Sequence, residues 1–193
     1  MNARRSKRAP PPPGAVRIIA GKWRGRRLPV SDIAELRPSP DRVRETLFNW
    51  LQPVIVDSRC LDLFAGSGAL GFEAASRGAA EVFMVDRDPR VAEVLKQQAA
   101  KLEASAIAVI CAQALQWLKG PPSRFDIVFL DPPFGQGLIG PCCQQLQAGG
   151  WLKPETLIYL ETEPLLIPLP LPPSWRIERA KQAGQVRYYL VRS

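Results

Sequence analysis

An α/β, Rossmann-like domain built around a mostly parallel sheet is the fold this chain predicts, on three observations. From residue 59 onward, short apolar runs of strand character alternate with segments of helical period. A glycine-rich turn, Gly66-Ser67-Gly68-Ala69-Leu70-Gly71, joins the first of those runs to the first helix. The last two runs flank Gly184 and read as an antiparallel hairpin.

Taken in order, residues 1–14 form a basic, proline-rich extension, because Pro10 to Pro13 and Gly14 suit a disordered or polyproline spacer. Val16-Arg17-Ile18-Ile19-Ala20 predicts a short strand, and residues 26–30 return as its partner across the turn Gly21-Lys22-Trp23-Arg24-Gly25. Pro38-Ser39-Pro40-Asp41 opens a helix with Asp41 as N-cap or first-turn acid. Val43, Leu47, Trp50 and Leu51 share one face of it, Arg42 and Arg44 lie off that stripe, and Pro53 closes it. Strands are then expected at 59–64, 81–86, 106–111, 125–130 and 156–161, with helices at 69–77, 89–102, 112–118 and 137–147. Strands 174–179 and 185–192 complete the sheet after an apolar, proline-broken connection from Pro164 to Pro173. The division is an extension at 1–14, a hairpin-and-helix segment at 15–52 and a catalytic domain at 53–193.

Composition narrows the chemistry. The 193 residues contain no histidine, which removes Ser-His-Asp triads, Cys-His pairs and the commonest zinc ligand. Cys60, Cys111, Cys142 and Cys143 lack C-x-x-C spacing and read as reduced thiols of a cytoplasmic protein, with no metal expected. No apolar run approaches the roughly 20 residues of a membrane span, so no membrane partner is expected. The net charge of +8 is unevenly placed: residues 1–30 carry nine Lys or Arg and no acid, while 51–193 hold 14 of each sign. A near-neutral body behind a basic arm points to a polyanionic partner, most simply nucleic acid. Arg17, Lys22, Trp23, Arg24, Arg26, Arg27 and Arg42 are the candidate contacts. Trp23 either stacks on a base or packs the hairpin onto the domain.

Two motifs carry the chemistry. Asp131-Pro132-Pro133-Phe134 follows the buried run Phe125-Asp126-Ile127-Val128-Phe129-Leu130, and the prolines end the ladder. An acid beside an aromatic plate suits a planar ring bearing an amine: Phe134 stacks on its face, and Asp131 accepts from the exocyclic N–H groups. Upstream, the turn from Asp62 and Phe64 through Gly66, Gly68 and Gly71 lets backbone approach a ligand closely. Its spacing is also that of a nicotinamide dinucleotide site. Asp62 favours an ammonium over a pyrophosphate, and Asp86, ending the next strand, suits ribose hydroxyls of either cofactor. Gln113 stands where an adenine edge would be met, or simply starts a helix. The pair of motifs points to methyl transfer from S-adenosyl-L-methionine to an amino nitrogen, which needs no imidazole.

With these residues together, the chain resembles the bacterial 16S ribosomal RNA guanine-N2 methyltransferases. The resemblance rests on residues 17–25, 41–51, 62–71 and 131–134 and on Gly184-Gln185-Val186. It implies a class I methyltransferase fold, a seven-stranded mixed sheet with one antiparallel strand, behind a small basic hairpin. It also implies S-adenosyl-L-methionine as cofactor and N2-methylation of one guanine of 16S rRNA in an assembling 30S particle, by a monomer. By the same resemblance Asp62, Gly66 and Gly68 form the cofactor turn, Asp86 the ribose acid, residues 131–134 the catalytic corner, and Ser39 a carboxylate contact. The other readings are a DNA adenine-N6 methyltransferase, a small-molecule or protein-glutamine methyltransferase, and a non-catalytic RNA-binding protein.

Overall fold

The computed structural model describes residues 15–29 and 40–193. Fourteen elements follow one another: β1 (Ala15–Arg17), β2 (Arg27–Pro29), α1 (Asp41–Leu51), β3 (Arg59–Asp62), α2 (Ala69–Ser76), β4 (Glu81–Asp86), α3 (Pro89–Lys101), β5 (Ile107–Cys111), α4 (Ala114–Trp117), β6 (Phe125–Leu130), α5 (Ile139–Ala148), β7 (Leu152–Thr162), β8 (Arg176–Ala183) and β9 (Val186–Arg192). Seven strands form one sheet in the order β5-β4-β3-β6-β7-β9-β8, and β1 and β2 pair separately. Only β9 runs against its neighbours in the large sheet; β5, β4, β3, β6 and β7 are mutually parallel. The sequence reading of an α/β sheet with one reversed strand and a small N-terminal hairpin matches this architecture.

The parallel strands read as continuous apolar runs because both faces are covered. One face packs Cys60, Val82, Met84, Ile127 and Phe129 under α1, α2 and α3. The other packs Leu61, Val85, Phe125, Val128 and Leu130 under α4 and α5. Helix α3 starts where local chemistry says it should: Asp88 accepts from the Arg90 N–H at 2.8 Å, and Pro89 occupies the first turn.

Several boundaries move, each for a local reason. β3 ends at Asp62 rather than 64, because Leu63 to Ala65 already enter the turn, with Ala65 N–H donating to Val85 O at 2.9 Å. β7 begins at Leu152, four residues before the expected start. The sheet absorbs Pro154 at an irregularity between the pairs Phe125–Leu152 and Ile127–Leu157. β8 runs to Ala183 rather than ending at 179.

The larger correction concerns α1. Its buried face holds Val43, Leu47, Phe48 and Leu51, and also Arg44, which the helical stripe had placed outside. Arg44 is 1% exposed because it is matched: its Nη2 donates to Asp41 Oδ1 at 2.6 Å and to Arg17 O at 3.0 Å, and its Nη1 lies 4.0 Å from Glu73. Glu73, fully buried in α2, also accepts from the Ile19 and Ala20 N–H groups and from Arg77 Nε. One carboxylate thus ties the hairpin, α1 and α2 together.

Candidate active site

The glycine turn is assembled from both neighbouring strands. Leu63 N–H donates to Phe129 O, and Gly68 N–H to Ala65 O at 2.7 Å. Gly66 and Gly68 take φ of 49° and 77°, left-handed values that a side chain disfavours. Beneath the turn lies Asp62, 1% exposed, its Oδ2 accepting from Gly71 N–H at 3.0 Å. Burial pushes this carboxyl up to about 7 against that hydrogen bond, and the charge of Asp86 adds to the rise. By accepting from Gly71 N–H the buried carboxylate holds the loop to α2. Gly71 is needed for closeness, since a Cβ there would lie 2.8 Å from Met84. Phe64, half-buried, lies beside the turn.

Asp86 is held at the end of β4 by two backbone donors, Gly66 N–H to Oδ2 and Asp88 N–H to Oδ1, both at 2.9 Å. Each oxygen keeps a lone pair, and the residue is half-exposed, so the carboxylate is fixed and able to accept from a diol. Gln113 is exposed ahead of α4, and its side chain makes no cap bond to that helix. Ser39 lies outside the described residues.

The catalytic corner sits at the same edge of the sheet. Ile127 to Leu130 are fully buried; then Asp131 is half-buried, Pro132 buried, and Phe134 is 45% exposed. Gly135 and Gly137, at φ of 74° and 63°, carry the chain away toward α5. A small cleft of about 50 Å³ is lined by Pro132, Pro133, Leu138, Leu166 and Pro170. A roomier cleft of about 260 Å³ lies at the opposite end of the strands, by Val54, Asp126, Lys153 and Arg192, away from the corner.

Sequence reasoning missed the neighbours of Asp131 on β7. Leu130 and Leu160 are register partners, so Asp131 and Glu161 follow side by side. Glu161 is 3% exposed and accepts from the Tyr159 hydroxyl at 2.6 Å. Burial drives the Tyr159 phenol well above its usual range, with the charges of Glu161 and Asp131 adding to it. The polar groups of Tyr159, Glu161 and Thr162 in the otherwise apolar run 157–162 were the available signal.

The basic residues divide. Lys22, Arg24, Arg26 and Arg27 are exposed on the hairpin, and Arg42 on α1. Arg17 is committed to Asp41 at 3.0 Å. Trp23 is 8% exposed and packs in the core, its backbone N–H donating to Ser76 Oγ. The turn of the hairpin is bound to Ser76, seven residues from the N-terminus of α2, which is about 10 Å below the glycine turn at 1.5 Å per residue. Among the described residues no group of three His, Cys, Asp or Glu side chains is gathered to hold a metal, and no helix is long and apolar enough to cross a membrane.

Comparison with known proteins agrees with this geometry. The family described as conserved hypothetical protein 95 matches residues 16–192. Ribosomal RNA small subunit methyltransferase D of Escherichia coli K12 is 50% identical over 178 residues, 92% of this chain and 89% of the relative. Its namesake in Haemophilus influenzae is 50% identical over 181 residues, 92% and 93% of the two chains. The solved structure of yhhF from Escherichia coli superposes with a TM-score of 0.88 at 47% identity, covering 93% of this chain and 98% of that one.

Proposed function

The chain belongs to the conserved hypothetical protein 95 family, together with the small-subunit ribosomal RNA methyltransferases D, and we propose that it methylates the exocyclic N2 amine of a guanine. It is an S-adenosyl-L-methionine-dependent methyltransferase of small-subunit rRNA; the amine, the nucleotide and the particle are our finer reading. The observation that carries the choice of an amine is the corner Asp131-Pro132-Pro133-Phe134, with a half-buried carboxylate beside an open aromatic face.

The residues at the glycine turn fit this cofactor. Gly66 and Gly68 bring backbone close, the fixed Asp86 accepts from a ribose, and the negative field of Asp62 and Asp86 suits a cation rather than a diphosphate. S-adenosyl-L-methionine, when bound, supplies an electrophilic methyl group on a sulfonium. Everything else falls to the chain. The guanine is flipped out of its stack at a cost of a few kcal/mol, and stacking on Phe134 returns roughly 1–3 kcal/mol. Asp131 accepts from the N2 amine and so aims its lone pair. As nitrogen takes the methyl group the sulfur–methyl bond would break, its electron pair leaving on sulfur as a neutral thioether, and Asp131 would take the surplus proton from nitrogen. Most of the acceleration then comes from proximity and orientation. The exposed cations Lys22, Arg24, Arg26, Arg27 and Arg42 supply phosphate contacts, and the enzyme acts as a monomer on an assembling 30S particle.

Two consequences concern the cofactor. Gly68→Ala forces a side chain into φ of 77° and puts its Cβ 2.7 Å from Phe72 and Leu95. Strain of about 1–3 kcal/mol at the binding turn is expected to weaken cofactor affinity roughly tenfold or more by calorimetry. Asp62 gives a pH dependence. Its folded value of about 7 lies above the ordinary carboxyl value of 3.8, so the folded protein holds a proton that the unfolded chain releases. The Asp62 contribution to stability therefore falls as pH rises from about 4 to 7 and is flat above. A cationic ligand favours the carboxylate, so cofactor affinity is expected to rise as pH passes 7, with proton release visible as buffer-dependent binding heat. Asp62→Asn should abolish that release; an unchanged buffer dependence would exclude the linkage.

The reaction is tested by tritiated methyl transfer to unmethylated 16S rRNA, free and in 30S particles, followed by nucleoside mass spectrometry. N2-methylguanosine is the expected product. N6-methyladenosine formed on DNA instead would replace this reading.

A further inference from the structure

A single row of side chains crosses the sheet from the catalytic corner to its edge. Asp131 is followed by Glu161 on β7; Glu161 pairs with Tyr188 on β9, and Tyr188 with Lys181 on β8. Directly opposite residues share a face, and three strand spacings of about 4.8 Å put Lys181 roughly 14 Å from Asp131. The face is that of α1, where half-buried Trp50 lies 5.6 Å from the Tyr188 ring. Lys181 Nζ lies 5.8 Å from the Trp50 ring centroid. Arg179 pairs with Leu190, so it stands on the same face, one step down the strand.

The β8–β9 hairpin is charged in one sense. Arg176, Arg179, Lys181, Arg187 and Arg192 face a single acid, Glu178. At the far end Arg192 bridges Glu155 and Glu178, and Arg176 reaches Glu155. Toward the corner, Arg179, Lys181 and Arg187 take part in no salt bridge among the described residues. Every residue from Arg176 to Gln182 is exposed. Averaged over residues 51–193 the charge is zero, which masks the local excess of five cations over one acid between 176 and 192. The basic N-terminal hairpin, by contrast, is docked at the lower end of α2, away from the base pocket.

We propose that the β8–β9 hairpin is a second RNA-binding surface, on which Arg179 and Lys181 hold phosphates of the strand leaving the base pocket while Trp50 backs the path. This deepens the rRNA reading and rests on it. An RNA strand with one base turned toward Asp131 must pass over the sheet edge or over α1, and this face offers cations and an aromatic along that route.

The test is the salt dependence of binding to unmethylated 16S rRNA by the full chain and by Arg179→Glu/Lys181→Glu. Loss of two phosphate contacts predicts a slope of log K against log salt shallower by roughly 1.4–1.8, with at least tenfold weaker binding at low salt. Cofactor affinity, read on the same samples, is the folding control, and Arg179→Gln/Lys181→Gln, with a smaller loss in the same direction, covers a charge reversal that fails to fold. An unchanged slope overturns the proposal and leaves these cations as protection of an open strand edge. Weaker binding to 30S particles with unchanged binding to naked rRNA overturns it too, assigning the face to a ribosomal protein. If the wild type makes no N2-methylguanosine while the slope still falls, the chemical reading fails and the surface stands.

Discussion

Asp131→Ala is expected to lower kcat by about 10²–10³-fold, the loss typical of removing one preorganised polar group from a reacting centre. Guanine N2 is a poor nucleophile because its lone pair is delocalised into the ring. A carboxylate accepting its N–H draws electron density toward nitrogen and pins the direction of attack. Asp131 can do this because the fully buried end of β6, Ile127 to Leu130, and the Pro132-Pro133 pair restrict its backbone. The cofactor turn comes from β3 and β4, so cofactor affinity should change little. Asp131→Asn keeps one acceptor oxygen and should lose less. Phe134→Ala, which removes a stacking plate 45% open to solvent, should act chiefly on KM, by roughly 1–3 kcal/mol. Single-turnover methyl transfer at saturating RNA separates these effects. Turnover within threefold of wild type for Asp131→Ala would remove this residue from the chemistry.

The parts of this site legible in sequence are those whose signal is local. The glycine turn, Asp86 at a strand end and the Asp131–Phe134 corner each combine a special backbone with a polar residue inside a few positions, and each lies where it was expected. Partners brought together by register were not legible. Glu161 stands 30 residues from Asp131, and only the pairing of β6 with β7 sets them side by side. Lys181 belongs to a segment, 176–192, that holds five cations and one acid, but which of them share a face is set only when β8 pairs with β9. Hydrogen-bond partners were not legible either: nothing local shows that the carboxylate of strand-end Asp62 accepts from the Gly71 N–H nine residues on. Arg44 failed for a related reason. Helical periodicity sorts residues by polarity, and a buried cation with matched acids breaks that rule.

Those matched acids support the second large prediction. Glu73→Ala is expected to destabilise the fold by about 3–5 kcal/mol, because it strands a buried guanidinium. Arg44 keeps Asp41, but Asp41 is itself shared with Arg17 and only partly covered. Burial opposes ionisation of Asp41, yet Arg17 and Arg44 hold its carboxyl below the usual range, so it already serves two cations. Removing Glu73 also leaves the Ile19 and Ala20 N–H groups without their acceptor, and these anchor the hairpin to α2. In a chain of this size the loss corresponds to roughly 6–20 °C in Tm. Glu73→Gln should fall between wild type and alanine, since its amide accepts at one oxygen and turns a second donor toward the hairpin. Arg44→Met combined with Glu73→Leu should recover part of the loss, since replacing both buried charges removes the uncompensated one. A Tm within about 2 °C of wild type for Glu73→Ala would mean that water already reaches this site and that α1, α2 and the hairpin are held by apolar packing alone. Recovery of Tm in the double variant, with the basic hairpin released from α2, would instead identify the ion network as the element that fixes where the hairpin sits.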